Sequence, residues 1–150
     1  MKYFVILLAF VALLSCSTKP PLAEPDELIE ADIAFSKMSA EEGMKEAFLH
    51  YADEEVVLLR KNSLPIEGKS SLNNFLQDLD DSNFVLIWEP LNGMISSSGD
   101  LGFTYGIYQM FQNQEDTISE KGTYVSIWKK NPEGEWRYVL DTGQEGLGEE

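Results

Sequence analysis

The chain has 150 residues, 43% of them hydrophobic and 25% charged, with 11 Lys+Arg against 26 Asp+Glu and a formal net charge of −15. That length allows one domain built on a single core, and the composition excludes collagen-like, disordered and multi-span membrane classes. The acidic balance opposes phosphate backbones, so no nucleic-acid partner is expected, and a single Cys and a single His rule out a disulfide framework within the chain, a Cys-rich zinc site or a His-cluster metal centre.

Met1-Lys2 precede an uncharged apolar run from Tyr3 to Leu14. At ~1.5 Å per residue that run falls well short of the ~30 Å bilayer core, so residues 1–15 read as a signal peptide rather than a membrane span. Leu13-Leu14-Ser15-Cys16 resembles the bacterial lipobox, which implies cleavage before Cys16 and acylation of that residue. Each buried CH₂ of an acyl chain contributes about 0.8 kcal/mol of membrane affinity, so two or three chains anchor a protein essentially permanently. The expected membrane partner is therefore reached through acyl chains on Cys16. Ser17 rather than Asp follows, and by similarity to sorting rules in double-membraned bacteria the expected address is the outer membrane, facing the periplasm. Residues 16–25, with Pro20, Pro21 and Pro25, read as a lipidated cysteine and a short stiff tether.

The domain itself spans 26–143, with an acidic, fraying tail over 144–150. Leu28, Ile29, Ile33, Phe35 and Met38 recur at helical spacing among Glu30, Asp32 and Lys37. Ser39 and Glu42 have the spacing of a capping box, which predicts a second helix from Ser39 with Met44, Ala47, Phe48 and Tyr51 on one face. A β-rich run follows over Val56 to Leu59. Pro65 and Gly68 then break the chain before a third amphipathic helix with Leu72, Phe75, Leu76 and Leu79. Four strands are predicted over 84–89, 101–111, 123–130 and 135–141, separated by turn clusters, hence an antiparallel meander. Helices first and strands last predict an α+β fold in which a curved antiparallel sheet wraps a helical layer.

The run from Tyr51 to Leu58, the helix entry Gly68 to Leu76, Gly102-Phe103-Thr104-Tyr105-Gly106 and the stretch Gly122 to Trp136 resemble the nuclear-transport-factor-2-like superfamily, in its SnoaL-like and ketosteroid-isomerase-like branch. The resemblance covers roughly Asp26 to Gly143. It implies a cone with a pocket at its open end, and it spans isomerases, dehydratases, cyclases and non-catalytic binding domains. In the ketosteroid isomerases the carboxylate base lies about seven residues past the Ala of an Ala-Asp motif. By this resemblance the base position falls on Leu59, with Arg60 next, and neither can act as that base. Asp53 matches the superfamily Asp and reads as a turn or cap residue. Asp53, Glu89 and Asp141 are the carboxylates left as weak catalytic candidates.

Tyr51, Trp88, Tyr105 and Tyr124 are the candidate ligand-binding residues, since aromatics with polar tips suit a partly apolar ligand. Asp78 to Asn83 with Glu89 only partly matches a calcium loop and reads as a solvated acidic turn. His50 reads as a helix-surface or packing residue. No cofactor or metal is expected. Three readings remain open. A binding protein predicts a cavity without a carboxylate beside a Tyr hydroxyl. An enzyme predicts an inward Asp or Glu of raised pKa within reach of one. A dimeric interaction domain predicts no cavity and an apolar patch on the sheet.

Overall fold

The computed structural model describes residues 25–112 and 117–147. The expected signal peptide of 1–15, Cys16 and the expected tether residues before Pro25 lie outside them. Helix α1 (Pro25–Glu42) is followed by α2 (Met44–Tyr51), β1 (Ala52–Leu59), β2 (Ile66–Glu67) and α3 (Lys69–Gln77). The long strands β3 (Phe84–Ile95), β4 (Leu101–Gln112), β5 (Thr117–Lys130) and β6 (Trp136–Glu145) complete the chain.

Pro25 is the first residue of α1 rather than the last of a tether, because its fixed φ and missing N–H suit a first helical turn, where Asp26 and Glu27 also complement the dipole. The buried stripe of α1 is Leu28, Asp32, Phe35, Ser36 and Ser39, and three of these are polar. The polar members have a job at the sheet edge. β3 is an outermost strand, and its outward backbone groups would otherwise lack partners. Ser36 Oγ donates to the Trp88 carbonyl at 2.7 Å and accepts from the Trp88 N–H at 2.8 Å, while Ser39 Oγ donates to the Leu86 carbonyl at 2.7 Å. Ser39 therefore belongs to α1, and the expected helix start at Ser39 is corrected to Met44. The break falls at Gly43, which holds φ +95°, and where a Cβ would come within 2.9 Å of Asp81 Oδ2. That same carboxylate accepts the Lys45 N–H at 2.9 Å and so caps α2 from a distant loop.

The strand order is β2-β1-β6-β5-β4-β3. The last four strands form the expected meander, but β1 pairs with β6 in parallel, so the sheet is mixed rather than antiparallel. The reason is topological. α3 carries the chain to the far edge, β3 starts opposite in direction to β1, and three reversals bring β6 back alongside β1 in the same sense. β6 also runs two residues past Gly143, with Gln144 and Glu145 paired to Thr123 and Gly122, so the acidic tail starts later than expected.

The core lies between α1, α2 and the concave face. Phe35 is its hub, with ring centroids of Trp88, Phe48, Tyr51, Tyr138 and Trp128 at 4.6–6.0 Å. Helix and sheet approach closely at Gly102, where a Cβ would sit 2.6 Å from Leu28 Cδ2.

Candidate functional site

A cavity of about 400 Å³ lies between the concave face of the sheet and the helices α2 and α3. Its apolar wall comes from Met44 and Phe48 of α2, Phe75 and Leu79 of the α3 region, and Phe84 and Leu86 of β3. Phe75 is 45% exposed and marks the rim, whereas Tyr124 and Asp141 at the inner end are 8% and 7% exposed. The cavity sits toward the C-terminal end of α1. At the other end of that helix, about 27 Å away by its rise, Glu27 pairs with Lys130 at 2.9 Å and Leu28 packs on Gly102.

Two buried carboxyls stand at the inner end. Asp32 is fully buried, with Oδ1 accepting from Trp88 Nε1 at 2.7 Å and Oδ2 accepting from the Tyr124 hydroxyl at 2.6 Å. Thr104, whose hydroxyl accepts from Trp128 Nε1 at 2.9 Å, also hydrogen-bonds Asp32. Burial raises the Asp32 pKa, against the lowering effect of these donors. Asp141 lines the cavity and accepts from Ser126 Oγ at 2.7 Å. Burial raises its pKa too, opposed by the positive charge of Arg60 and the Ser126 bond, with Asp32 adding a smaller upward push. The Tyr124 hydroxyl is driven up by burial and then by Asp32, so it stays neutral. Further along the wall, Tyr108 donates to Glu120 Oε1 at 2.6 Å.

Asp141 faces inward because of a bulge. Trp128 is opposite Tyr138 and Ser126 is opposite Asp141, so between these pairs the single Ile127 of β5 faces both Val139 and Leu140 of β6 and the alternation resets. Strict alternation from Tyr138 would turn Leu140 inward and Asp141 outward. Arg60 faces inward by plain alternation, continuing the buried Val56 and Leu58, and Leu59 lies on the other face.

No family model and no curated protein matches this chain. Solved structures do. A domain of unknown function with a cystatin-like fold from Nostoc punctiforme superposes with a TM-score of 0.68 at 15% identity, over 83% of this chain and 78% of that one. A ketosteroid isomerase-like protein from Erwinia carotovora atroseptica gives 0.65 at 13% identity, over 84% and 98%. A protein of the nuclear-transport-factor-2-like type with a cystatin-like fold from Novosphingobium aromaticivorans gives 0.64 at 14% identity, over 79% of each chain. The chain has the nuclear-transport-factor-2-like fold.

On this nuclear-transport-factor-2-like frame, the structure places Trp88, Tyr124 and Asp141 of the sequence candidates on the cavity wall. Tyr51 instead packs on Phe35 and Trp128, away from the wall. Tyr105 is 44% exposed on the convex face beside Phe103, because Thr104 and Gly106 take the inward positions of β4, and this corrects its placement in the pocket. Glu89 is exposed on the face opposite Trp88. Asp53 accepts the Glu55 N–H at 2.9 Å, the turn role expected of it. Asp32 and Arg60 were not among the candidates, although helical spacing with Leu28 and Phe35, and alternation with Val56 and Leu58, carry the signal for each.

The raised Asp141 pKa has a stability consequence. Its contribution is fully present below the unfolded-chain value of about 3.9 and is lost as pH rises through the folded value, about 1.4 kcal/mol for each unit of elevation. Asp141→Asn is therefore expected to be more stable than wild type at pH 7 to 8, with the gap closing toward pH 4, as read by thermal melts. A gap that widens in acid would mean that the folded chain holds Asp141 as a favoured carboxylate.

Proposed function

We propose that this protein is a lipid-anchored cell-envelope binding protein whose cone holds a small, partly apolar molecule carrying at least one hydrogen-bonding group. The observation behind this reading is the cavity, whose apolar walls converge on Trp88, Tyr124 and Asp141. Its volume falls within the roughly 300–1,000 Å³ range of small-molecule sites. Anchoring through Cys16 is read from the lipobox resemblance. Because α1 begins at the end of the cone remote from the cavity, attachment ahead of Pro25 leaves the cavity rim turned away from the anchored end. A homodimer would use the convex face, where Phe103, Tyr105 and Met94 stand together, and would leave the cavity free.

Native mass spectrometry of the protein purified from its own envelope is expected to show a reproducible extra mass that is lost on denaturation. Leu86→Trp, which puts an indole into the cavity, is expected to lose it. A bare chain mass in both proteins refutes the binding reading. In the same cells, labelled palmitate is expected to mark the wild type and not Cys16→Ser.

A second reading, acid–base catalysis, is favoured by the carboxyls beside Tyr hydroxyls, Asp32 at Tyr124 and Glu120 at Tyr108, the feature expected of an enzyme and not of a binding protein. In it Asp141 takes a proton from the ligand, and the Tyr124 hydroxyl turns its one hydrogen from Asp32 to the developing oxyanion, with Asp32 in its protonated form donating to the Tyr124 oxygen in exchange. Turnover of the captured compound, lost in Asp141→Asn while binding persists, would select it.

A further inference from the structure

We infer that the molecule held in the cone is an organic anion, a carboxylate on a compact apolar body, with Arg60 as its counter-charge. The inference rests on the reading of the cone as a small-molecule site and names its ligand class.

The chain has two arginines. Arg137 is spoken for, with Nη2 at 2.7 Å from Glu135. Arg60 is half-buried on the cavity wall, its guanidinium 5.8 Å from the centre of the Phe48 ring, and no carboxylate of the described residues lies within 4 Å of it. Its charge reaches Asp141 on the same wall, whose pKa rise it opposes, without forming an ion pair there. The two carboxylates on the same wall already have their own donors, Ser126 for Asp141 and Tyr108 for Glu120. A guanidinium beside the Phe48 ring on a cavity wall offers a fork of N–H donors whose geometry matches a carboxylate, and a partly buried charge gains from such a partner. Burial raises the pKa of the neighbouring Asp141, and in its protonated form that group donates to a bound carboxylate alongside Arg60. Met44, Phe48, Phe75, Leu79, Phe84 and Leu86 form the apolar part of the wall, which accounts for the body of the ligand.

The test is isothermal titration calorimetry of the purified full chain with three probes that share one bicyclic body: 2-naphthoate, 2-naphthylmethanol and 2-naphthylmethylamine. The anion is expected to bind about tenfold to a hundredfold more tightly than the alcohol, the range of a charge-assisted hydrogen bond. Arg60→Met is expected to bring the two to parity by weakening the anion alone, and Arg60→Lys to fall between. An alcohol or an amine that binds as tightly as the anion to the wild type overturns the anion assignment and leaves the small-molecule reading standing. Failure of all three probes to bind refutes both. The wild-type comparison decides by itself, so a variant that does not fold leaves nothing open.

Discussion

Replacing Asp32 with alanine is expected to lower the free energy of unfolding by about 3–5 kcal/mol, the cost of stripping one partner from a buried, hydrogen-bonded polar network. The substitution leaves Trp88 Nε1 and the Tyr124 hydroxyl without their shared, fully buried acceptor. It also opens a void where α1 meets the sheet. Domain stabilities of about 5–15 kcal/mol make this a large fraction of the whole. Asp32→Asn is expected to cost about 1 kcal/mol, since the amide oxygen still accepts from Trp88 and the charge is removed from a site whose burial disfavours it. Urea unfolding at pH 7 with an unchanged m-value measures both. A loss under 1 kcal/mol for Asp32→Ala would mean that the network is dispensable to the fold.

Phe35→Ala is expected to cost a similar amount, about 3–5 kcal/mol, through lost burial plus a cavity that its neighbours cannot close. Phe35 is 1% exposed and touches five aromatic rings supplied by α2, β3, β5 and β6. Such a hub cannot be refilled by moving one side chain. The near-UV circular dichroism of Trp88 and Trp128 should weaken together with the unfolding midpoint. Because Phe35 and Asp32 both hold Trp88, the double variant is expected to lose less than the sum of the two single losses. Strict additivity would mean that the ring contact and the hydrogen bond act independently.

Much of the scaffold is legible in the residue order. Apolar spacing at three to four residues over 28–38 and 72–79, then alternation from Phe84 onward, determine an α+β chain with helices first and a strand meander last. Both rest on local periodicity, which the sequence carries complete. The capping-box spacing at Ser39 misleads because a serine hydroxyl serves a strand edge as well as it serves a helix end. The backbone of β3 claims it here.

The site depends on longer-range facts. Asp32 and Arg60 sit at inward positions of their own elements, so the sequence does contain their placement, but only for a reader who keeps charged residues within the pattern of the apolar ones. Composition likewise gives, unaided, an acidic chain with one Cys and one His. Which aromatics face the cavity is another matter. Tyr105 and Tyr124 stand on adjacent strands with equal alternation, and only the curvature of the sheet toward α1 makes one concave and the other exposed. Asp141 is turned inward by a single extra residue opposite Ile127, and Asp81 caps a helix that lies 36 positions away in the chain. Such pairings are settled by strand register and by loops that meet across the fold. They are properties of the packed chain, where one inserted residue inverts a face, and no local window of the sequence contains them.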